Sequence, residues 1–228
     1  MAKFWEETIV NPIKEAQALF SNGLQDGAKF YDYLRKSKMF GPSFDPKEFD
    51  GCEAVLGACA KAKWPLAWTA YALATAYHET AHTMQPVKEY GGTAYYTKMY
   101  DIQGSRPQLA KDNGNTSPGD GAKYCGRGYV QLTWKNNYAK AEKKLGKPLI
   151  SNPDLAMDCS IASDIMISGM GEGWFTGKSC KTYLPTSGTA DLKQFTDARR
   201  IINGQDKARL IAEYAVNFQQ ALSLGKWK

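Results

Sequence analysis

Apolar residues recur at spacings of three and four along most of this chain, which is the period of an amphipathic α-helix. The pattern predicts little strand, and at 228 residues it predicts a single domain. We find no internal repeat and no low-complexity linker. The predicted helices cover residues 3–21 (interrupted near Asn11-Pro12), 25–39, 46–62, 134–145, 158–176, 179–184, 191–202 and 206–224.

One further helix is predicted to carry a chemically important carboxylate, Glu79. Pro65 suits its first position, where a missing N–H costs nothing, and Pro86 blocks its continuation. The residues of its apolar face are Leu66, Ala70, Leu73, Tyr77 and Met84. Glu79 lies on another face, above the small residues Ala72, Thr75 and Ala76. We interpret those small residues as leaving open space around the carboxylate, as a cleft requires.

Residues 90–123 break the helical pattern, because glycine, tyrosine and polar residues dominate there. Residues 112–121 are a run of turn formers. The pattern predicts a long loop, and such loops inside compact domains are often functional. Its aromatic and amide side chains suit sugar binding, and Tyr96 is a candidate contact. A disordered insertion is the alternative interpretation.

The next segment, residues 124–134, predicts a short strand followed by a helix. Tyr129, Gln131 and Thr133 alternate along the strand and share one side. Thr133 suits the N-cap of the helix, and Asn137 projects to the same side four residues later. We therefore expect Gln131, Thr133 and Asn137 to converge. The alternative is that Thr133 only caps the helix and Asn137 only faces water.

A second chemistry competes for Glu79, because residues 78–82 fit the zinc motif His-Glu-x-x-His. On a helix, His78 and His82 would lie on one side, ready for a metal. They are the two histidines of the chain, so a third ligand would be an acidic residue or a cysteine, with Glu89 and Asp101 left open. A zinc metalloprotease is therefore a less favoured alternative, and a noncatalytic wall-binding module is another.

Composition narrows the classes of partner. A net charge of +6 suits an anionic cell-wall polymer or a membrane surface, although solvated faces explain it equally well. There is no block of like charge to indicate nucleic acid. The first residues do not resemble a signal peptide, and no apolar run would span a membrane. Five cysteines, an odd number, then favour free thiols, with Cys52 and Cys59 as core residues of one helix.

Four motifs together resemble glycoside hydrolase family 19, and more narrowly its compact bacteriophage and prophage endolysins. They are His78-Glu79-Thr80, Glu89, residues 126–133 (Gly-Arg-Gly-Tyr-Val-Gln-Leu-Thr) and residues 201–204 (Ile-Ile-Asn-Gly). The resemblance covers roughly residues 24–224. It implies a mainly α, two-lobed, lysozyme-like fold with a small β element beside the cleft. One catalytic domain would span residues 1–228, with residues 1–22 as an N-terminal helical extension and 23–228 as the core.

The resemblance also implies roles for individual residues. Glu79 corresponds to the general acid, Glu89 to the general base and Thr133 to the residue that holds the attacking water. The residues implied or considered as substrate contacts are His78, Tyr96, Arg127, Tyr129, Gln131, Asn137 and Asn203. The segment between the two glutamates varies in the family, and residues 94–123 depart from the plant loops. Glu79 among small apolar residues and Glu89 in a glycine-rich turn beside Lys88 have different environments, which suits two different roles.

The implied function is hydrolysis of β-1,4 bonds in peptidoglycan with inversion, by an endolysin that lyses the host cell. A bacterial chitinase is the near alternative. The resemblance implies no cofactor, no metal, no nucleic acid, no stable membrane insertion and a monomer. We expect synthesis in the host cytoplasm without a signal peptide, followed by holin-type release to the cell wall or periplasm.

Overall fold

The structure of the protein is a computed structural model that describes residues 23–41 and 44–228. Helices dominate these residues, as the sequence predicts, with one small two-stranded sheet. The helix predicted over residues 3–21, and with it the N-terminal extension of residues 1–22, lies outside the described residues. No described helix is long and apolar enough to cross a membrane.

The elements follow one another in a simple order. They are α1 (Gly27–Lys36), α2 (Pro46–Lys61), α3 (Leu66–Glu79), β1 (Val87–Lys88), α4 (Thr93–Tyr100), α5 (Pro107–Asp112), α6 (Asp120–Lys123), β2 (Arg127–Gly128), α7 (Lys135–Leu145), α8 (Cys159–Glu172), α9 (Cys180–Tyr183), α10 (Leu192–Ala198) and α11 (Ala208–Leu224). Two 3₁₀ turns, Pro153–Met157 and Arg199–Ile201, lie before α8 and after α10.

Helix α3 forms the centre of the core. Ten of its residues are buried, and it packs most extensively against α11. The space that we predicted above Ala72, Thr75 and Ala76 is therefore wrong, since all three side chains are fully buried. Small residues at these positions let neighbouring elements approach closely, because every gap in a protein interior is filled. At its C-terminal end, His78 and Glu79 come partly to the surface.

The end of α3 corrects another prediction. The helix stops at Glu79, and Thr80 closes it by donating a hydrogen bond to the Ala76 carbonyl and accepting one from the Met84 amide. Ala81, His82 and Met84 then adopt positive φ angles, so the chain turns away. Met84 is buried, but it reaches the core from this turn and not from the helix.

Residues 90–123 form a small lobe of three short helices, α4 to α6, and not the long loop that we predicted. Buried Asp101 connects them, because its carboxylate accepts hydrogen bonds from the amides of Gly119 and Gly121. Asp120 likewise accepts from the amides of Thr116 and Ser117. Local side chain to backbone bonds of this kind order a segment that has no helical periodicity of its own.

Strands β1 and β2 pair antiparallel, with Val87 opposite Gly128 and Lys88 opposite Arg127. The strand predicted over residues 129–133 is wrong, because the chain turns back there and Leu132 pairs with Arg127. Gln131 has a positive φ of 51°, which a strand does not allow. The resulting tight turn presents residues 129–133 beside β1.

The start of α7 also differs from our expectation. Thr133 is not its N-cap, since its hydroxyl donates to the Gln131 carbonyl at 2.8 Å. Trp134 occupies the cap position with φ of 76° and offers no side-chain cap. Buried Asn115 supplies the missing acceptor, because its Oδ1 accepts from the Lys135 amide at 3.0 Å while its Nδ2 donates to the Tyr100 carbonyl at 2.9 Å. One amide thus joins the small lobe to the helical core.

The cysteines agree with the sequence analysis. All five are free thiols, and Cys52 and Cys59 are buried on α2. The core therefore holds together without covalent cross-links, through apolar packing around α3.

We predict that Asn115→Ala lowers the free energy of unfolding by about 1 to 3 kcal/mol, because it leaves two partly buried backbone groups without their Asn115 partner. Urea unfolding monitored by circular dichroism measures the change. Asn136→Ala is the matched control, since Asn136 is exposed and donates one long bond of 3.3 Å to Asp112. The control should change stability by less than about 0.5 kcal/mol. Equal effects of the two substitutions would contradict the assignment of Asn115.

Candidate active site

Glu79 is held by an ion pair at the end of α3. Its Oε1 accepts a hydrogen bond from Nη1 of Arg199 at 2.6 Å. The Arg199 side chain is only 3% exposed, whereas that of Glu79 is 23% exposed. Arg199 also donates from Nε to the Asp206 carbonyl, which fixes the orientation of its guanidinium. Glu79 therefore points one oxygen at a buried cation and has its other oxygen, Oε2, without a hydrogen bond from the described residues.

The two histidines beside Glu79 do not form the arrangement that a helical zinc motif requires. The helix ends before His82, whose ring stacks on Tyr77 at 4.2 Å and contacts the Tyr214 hydroxyl at 3.3 Å. Partial burial lowers the pKa of His78, and the Glu79 carboxylate opposes that shift. Among the described residues no three histidine, cysteine or acidic side chains gather as metal ligands would. His78 lies next to Glu79 as a neutral neighbour near neutral pH.

Glu89 lies directly after β1, and three donors hold its carboxylate. The Tyr100 hydroxyl donates to Oε1 at 2.6 Å, the Tyr95 hydroxyl donates to the same oxygen at 3.3 Å, and the Gly126 amide donates to Oε2 at 3.2 Å. Every one of these groups gives a hydrogen, so the carboxyl group acts purely as an acceptor, as an ionised carboxylate does. In the turn predicted beside Lys88, these three hydrogen bonds thus fix the orientation of the Glu89 side chain.

The tyrosines of α4 supply most of the hydrogen bonds that hold Glu89. Burial, and then the hydrogen bond to Glu89, raise the pKa of Tyr100, so its phenol keeps the proton that it donates. Tyr96 is buried, and its hydroxyl donates to the backbone carbonyl of Glu89. Tyr96 and Tyr100 are four residues apart, which places both on one face of the helix.

An open cavity of about 570 Å³ lies in front of Glu89. The residues that line it are Lys88, Glu89, Tyr90, Gly91, Gly92, Thr93 and Tyr96. Tyr90 is fully exposed, and Tyr95, which is 41% exposed, contacts the lining residues Glu89 and Gly91. Aromatic rings next to a carboxylate in a cavity of this size suit a ligand with apolar faces and polar edges.

Gly126 brings Gln131 next to Glu89. A Cβ atom at Gly126 would lie 2.6 Å from Oε1 of Gln131 and 3.2 Å from Oε2 of Glu89, so only glycine leaves room for both side chains. The Gln131 amide donates to the carbonyls of Val87 and Gly128. The Thr133 hydroxyl bonds the Gln131 carbonyl, and the Asn137 amide donates to the Thr133 carbonyl at 2.8 Å. These bonds run from side chain to backbone along the turn, so the convergence of the Gln131, Thr133 and Asn137 side chains on one place stays a prediction.

Arg127 and Tyr129 lie beneath the site, away from solvent. Arg127 is 4% exposed and donates to Asp154, to the Lys123 and Cys125 carbonyls and to Tyr138. Tyr129 is fully buried and donates to the Met84 carbonyl. Their burial does not fit the substrate contacts predicted for them, and we reassign both as supports of the turn that carries Gln131.

Asn203 is exposed and lies in the loop that follows Arg199. Its Oδ1 accepts a hydrogen bond from the Gly204 backbone amide, and its own backbone amide donates to the Arg199 carbonyl. It contacts neither carboxylate among the described residues, so a role in substrate binding stays a prediction.

Sequence analysis missed Arg199, Tyr95 and Tyr100 as site residues. Arg199 had a usable signal, because it follows Phe195 by four residues on the buried face of α10 and its extension. An arginine on such a face needs an acidic partner. Asp101, left open as a third metal ligand, accepts hydrogen bonds from the backbone amides of Gly119 and Gly121 instead.

A comparison with protein families matches residues 49–186 to the glycoside hydrolase family 19 model, described as chitinase class I. That region contains both glutamates, Gln131 and Thr133 and covers more than half of the chain.

Curated relatives match over shorter regions. Acidic endochitinase Q of Nicotiana tabacum is 45% identical over 53 residues, which are 23% of this chain and 19% of the relative. Chitinase 3 of Oryza sativa subsp. japonica is 30% identical over 103 residues, 45% of this chain and 31% of the relative. The inactive chitinase-like protein 1 of Hevea brasiliensis is 44% identical over 55 residues, 24% of this chain and 16% of the relative. The chain thus aligns with less than a third of each of these three relatives.

Among solved structures, chitinase C of Streptomyces griseus HUT6037 superposes with a TM-score of 0.55 at 23% identity. The alignment covers 88% of this chain and 76% of that one. At this identity the similarity supports the mainly α, lysozyme-like fold. Activity has to be argued from the site residues, all the more because one relative is named inactive.

We predict that Arg199→Lys lowers kcat by up to about a hundredfold, because lysine keeps the charge but cannot bond Glu79 and the Asp206 carbonyl in the same fixed plane. Arg199→Gln should also lower the free energy of unfolding by about 1.5 to 3 kcal/mol, the range for a lost charged hydrogen bond. Initial rates and urea unfolding measure the two effects. Arg200→Gln is the control. Arg200 is exposed and forms an ion pair with Asp197, so this substitution should change the free energy of unfolding by less than about 1 kcal/mol. Normal turnover by Arg199→Lys would refute this role.

Proposed function

Because this chain belongs to glycoside hydrolase family 19, we propose that it hydrolyses β-1,4 glycosidic bonds by an inverting general acid/base mechanism. One observation carries the proposal: two carboxyl groups, Glu79 and Glu89, are held in different ways at the two ends of one connection between α3 and α4. Inversion uses two carboxyl groups with different roles, roughly 6.5–9.5 Å apart with room for a water molecule between them.

Glu79 is the proposed general acid. Arg199 holds its Oε1, so Oε2 is the oxygen that can carry a proton to the glycosidic oxygen of the substrate. The leaving sugar then departs as a neutral alcohol. Because the side chain is partly exposed at the end of α3, a glycan strand can reach it without an opening of the core.

Glu89 is the proposed general base. Its three donors keep the carboxylate in one orientation, from which it takes a proton from a water molecule as that water attacks the anomeric carbon. Thr133 is proposed to position the same water. Its hydroxyl hydrogen is directed to the Gln131 carbonyl, so the hydroxyl oxygen is left as an acceptor for a hydrogen of the water.

The cavity in front of Glu89 is the proposed sugar site. Tyr90 and Tyr95 expose aromatic surface at its edge, and aromatic faces suit the apolar faces of pyranose rings. His78, Gln131, Asn137 and Asn203 are proposed to contribute polar contacts. No cofactor or metal ion takes part in this proposal.

The proposed substrate is peptidoglycan, and the proposed role is that of a phage-type endolysin that lyses its host. The net charge of +6 and the resemblance of the motifs to compact endolysins support this choice. We further propose that the protein acts as a monomer, is made in the host cytoplasm and reaches the wall after holin-type release.

Chitin is the second candidate substrate, because the relatives of this chain carry the names of chitinases. Incubation with purified peptidoglycan and with chitin oligomers, followed by mass spectrometry of the new reducing ends, separates the candidates. We expect cleavage of peptidoglycan glycan strands at a higher rate. Cleavage of chitin alone would overturn the endolysin proposal and leave the glycosidase proposal intact.

We predict that Glu79→Gln and Glu89→Gln each lower kcat by at least about a hundredfold, since a general acid or base contributes about 10²–10⁴-fold. Glutamine keeps the shape and part of the hydrogen bonding but transfers no proton. Circular dichroism checks that both variants are folded, and Glu213→Gln on the exposed surface of α11 is the matched control. Near-normal turnover by either site variant would remove that residue from the mechanism.

Thr133→Ala tests the water-positioning role. We predict a loss of kcat of about tenfold or more, because the alanine side chain cannot orient the water. Thr133→Ser keeps the hydroxyl and should keep most of the activity. Since Thr133 does not cap α7, neither change should lower thermal stability as the loss of an N-cap would. Equal rates of the alanine and serine variants, normalised to folded protein, would show that the hydroxyl has no part in turnover.

A further inference from the structure

A second pocket, which we call the tryptophan pocket, lies at the start of α3, the helix that ends at Glu79. It has a volume of about 320 Å³, and six of its lining residues are Trp64, Trp68, Lys144, Ser168, Gly171 and Glu172. It forms where α2 and α7 end, α3 begins and α8 ends. Trp68 and Glu79 are both on α3, and their separation of 11 positions corresponds to about 16 Å of helix. No residue of the candidate active site lines this pocket.

The inner wall of the tryptophan pocket is aromatic. Trp64 is buried, and Gly171 faces it, since a Cβ atom there would lie 3.5 Å from the Trp64 ring. Trp68 stands edge-on to Trp64 with centroids 5.5 Å apart and is partly exposed. The Trp68 indole donates to the Leu184 carbonyl at 3.4 Å, which holds the ring in place. A fixed, partly exposed ring offers a flat apolar platform.

The opposite wall is polar. Glu172 accepts hydrogen bonds from the Lys144 ammonium and, at 2.9 Å, from the Trp174 indole. These two bonds lower the pKa of Glu172, so it stays ionised as an acceptor. Ser168 adds a hydroxyl to the same wall. An aromatic platform facing a small number of fixed polar groups is the composition of a sugar-binding site.

Lysines are concentrated on the helix that supplies Lys144 to this wall. Lys140, Lys143, Lys144 and Lys147 follow one another at helical spacing at the end of α7 and just beyond it. Lys144 is paired with Glu172, and Lys140 lies over the Trp174 ring at 4.9 Å. Glu142, the remaining acid of this segment, is occupied by the Ile150 amide. The helix dipole alone would explain lysines at the C-terminal end of α7. It does not explain why an aromatic pocket lies next to them.

We propose that the tryptophan pocket is a second glycan-binding site, which binds an anionic amino-sugar polymer at a distance from the catalytic cleft. A sugar ring would stack on Trp68, and the lysines of α7 would bind carboxylates carried by the polymer. The identity of the polymer, peptidoglycan, rests on the proposed function. Two sites on one polymer raise the effective concentration of substrate at the cleft without changing the chemistry there.

The test measures binding to purified peptidoglycan sacculi by co-sedimentation, with every variant made in a Glu79→Gln background so that the polymer is not consumed. We expect Trp68→Ala to weaken binding about tenfold, as for the loss of a stacking contact. The triple change Lys140→Gln, Lys143→Gln and Lys147→Gln should weaken binding to sacculi at low salt. At high salt, where charge interactions are screened, the triple variant and the parent should bind equally. A triple change at Lys36, Lys38 and Lys193, exposed on α1, in the turn after it and on α10, is the charge-matched control.

The same variants with Glu79 restored separate this proposal from the proposed function. Turnover of a short soluble oligosaccharide should be unchanged, whereas turnover of sacculi should fall. Unchanged sacculus binding by both the Trp68 and the lysine variants would overturn the second site. If Trp68→Ala fails to fold, the lysine variant alone decides. If the lysine variant lost as much binding to neutral chitin as to peptidoglycan, the proposal that the ligand is anionic would be overturned. Absence of any hydrolysis by the wild type would count against the proposed function, while the binding data still decide the pocket.

Discussion

The buried guanidinium of Arg199 needs a negative partner, and Glu79 is the carboxylate that meets it. An unpaired charge in that position would cost several kcal/mol, on the order of the penalty for a buried ion. The requirement joins residues 120 positions apart, so α10 and its 3₁₀ extension must lie against the end of α3. It also fixes which oxygen of Glu79 is available to a substrate. The position of α10 against the end of α3 and the orientation of the proposed acid therefore both depend on one ion pair.

Glu89 is held by a different kind of constraint, which consists of neutral donors. The two tyrosine hydroxyls come from the small lobe, while the Gly126 amide comes from the turn that carries Gln131 and Thr133. Asn115 and Asp101 order that lobe through backbone contacts. Glu79 thus ends a helix of the core, whereas Glu89 lies directly after β1 and is held largely by tyrosines of the small lobe. This division lets the two carboxyl groups have separate environments, although they are ten residues apart in sequence.

Sequence reasoning located the helices well, because the apolar period of α2, α8 and α11 records which face each one buries. It failed where the structure depends on individual hydrogen bonds or on packing that leave no periodic pattern in the sequence. The small lobe depends on side chain to backbone bonds of Asp101 and Asn115, which have no pattern along the chain. Thr133 was misread as a cap because the actual acceptor, Asn115, lies 20 residues away. Ala72 and Ala76 were misread as lining a cleft, since small residues mark close packing as often as open space. The family motifs pointed to Glu79, Glu89 and Gln131 as site candidates, whereas the pairing of Arg199 with Glu79 became visible only in the fold.

The central claim is that two carboxyl groups with different surroundings hydrolyse a β-1,4 bond with inversion. Proton NMR of the first anomer released from a soluble substrate, recorded before mutarotation, tests it most directly. Attack by water held at Glu89, on the face opposite the leaving group, predicts that the α-anomer appears first. Initial release of the β-anomer would mean retention through a different arrangement of catalytic groups, and it would contradict the roles assigned to Glu79 and Glu89.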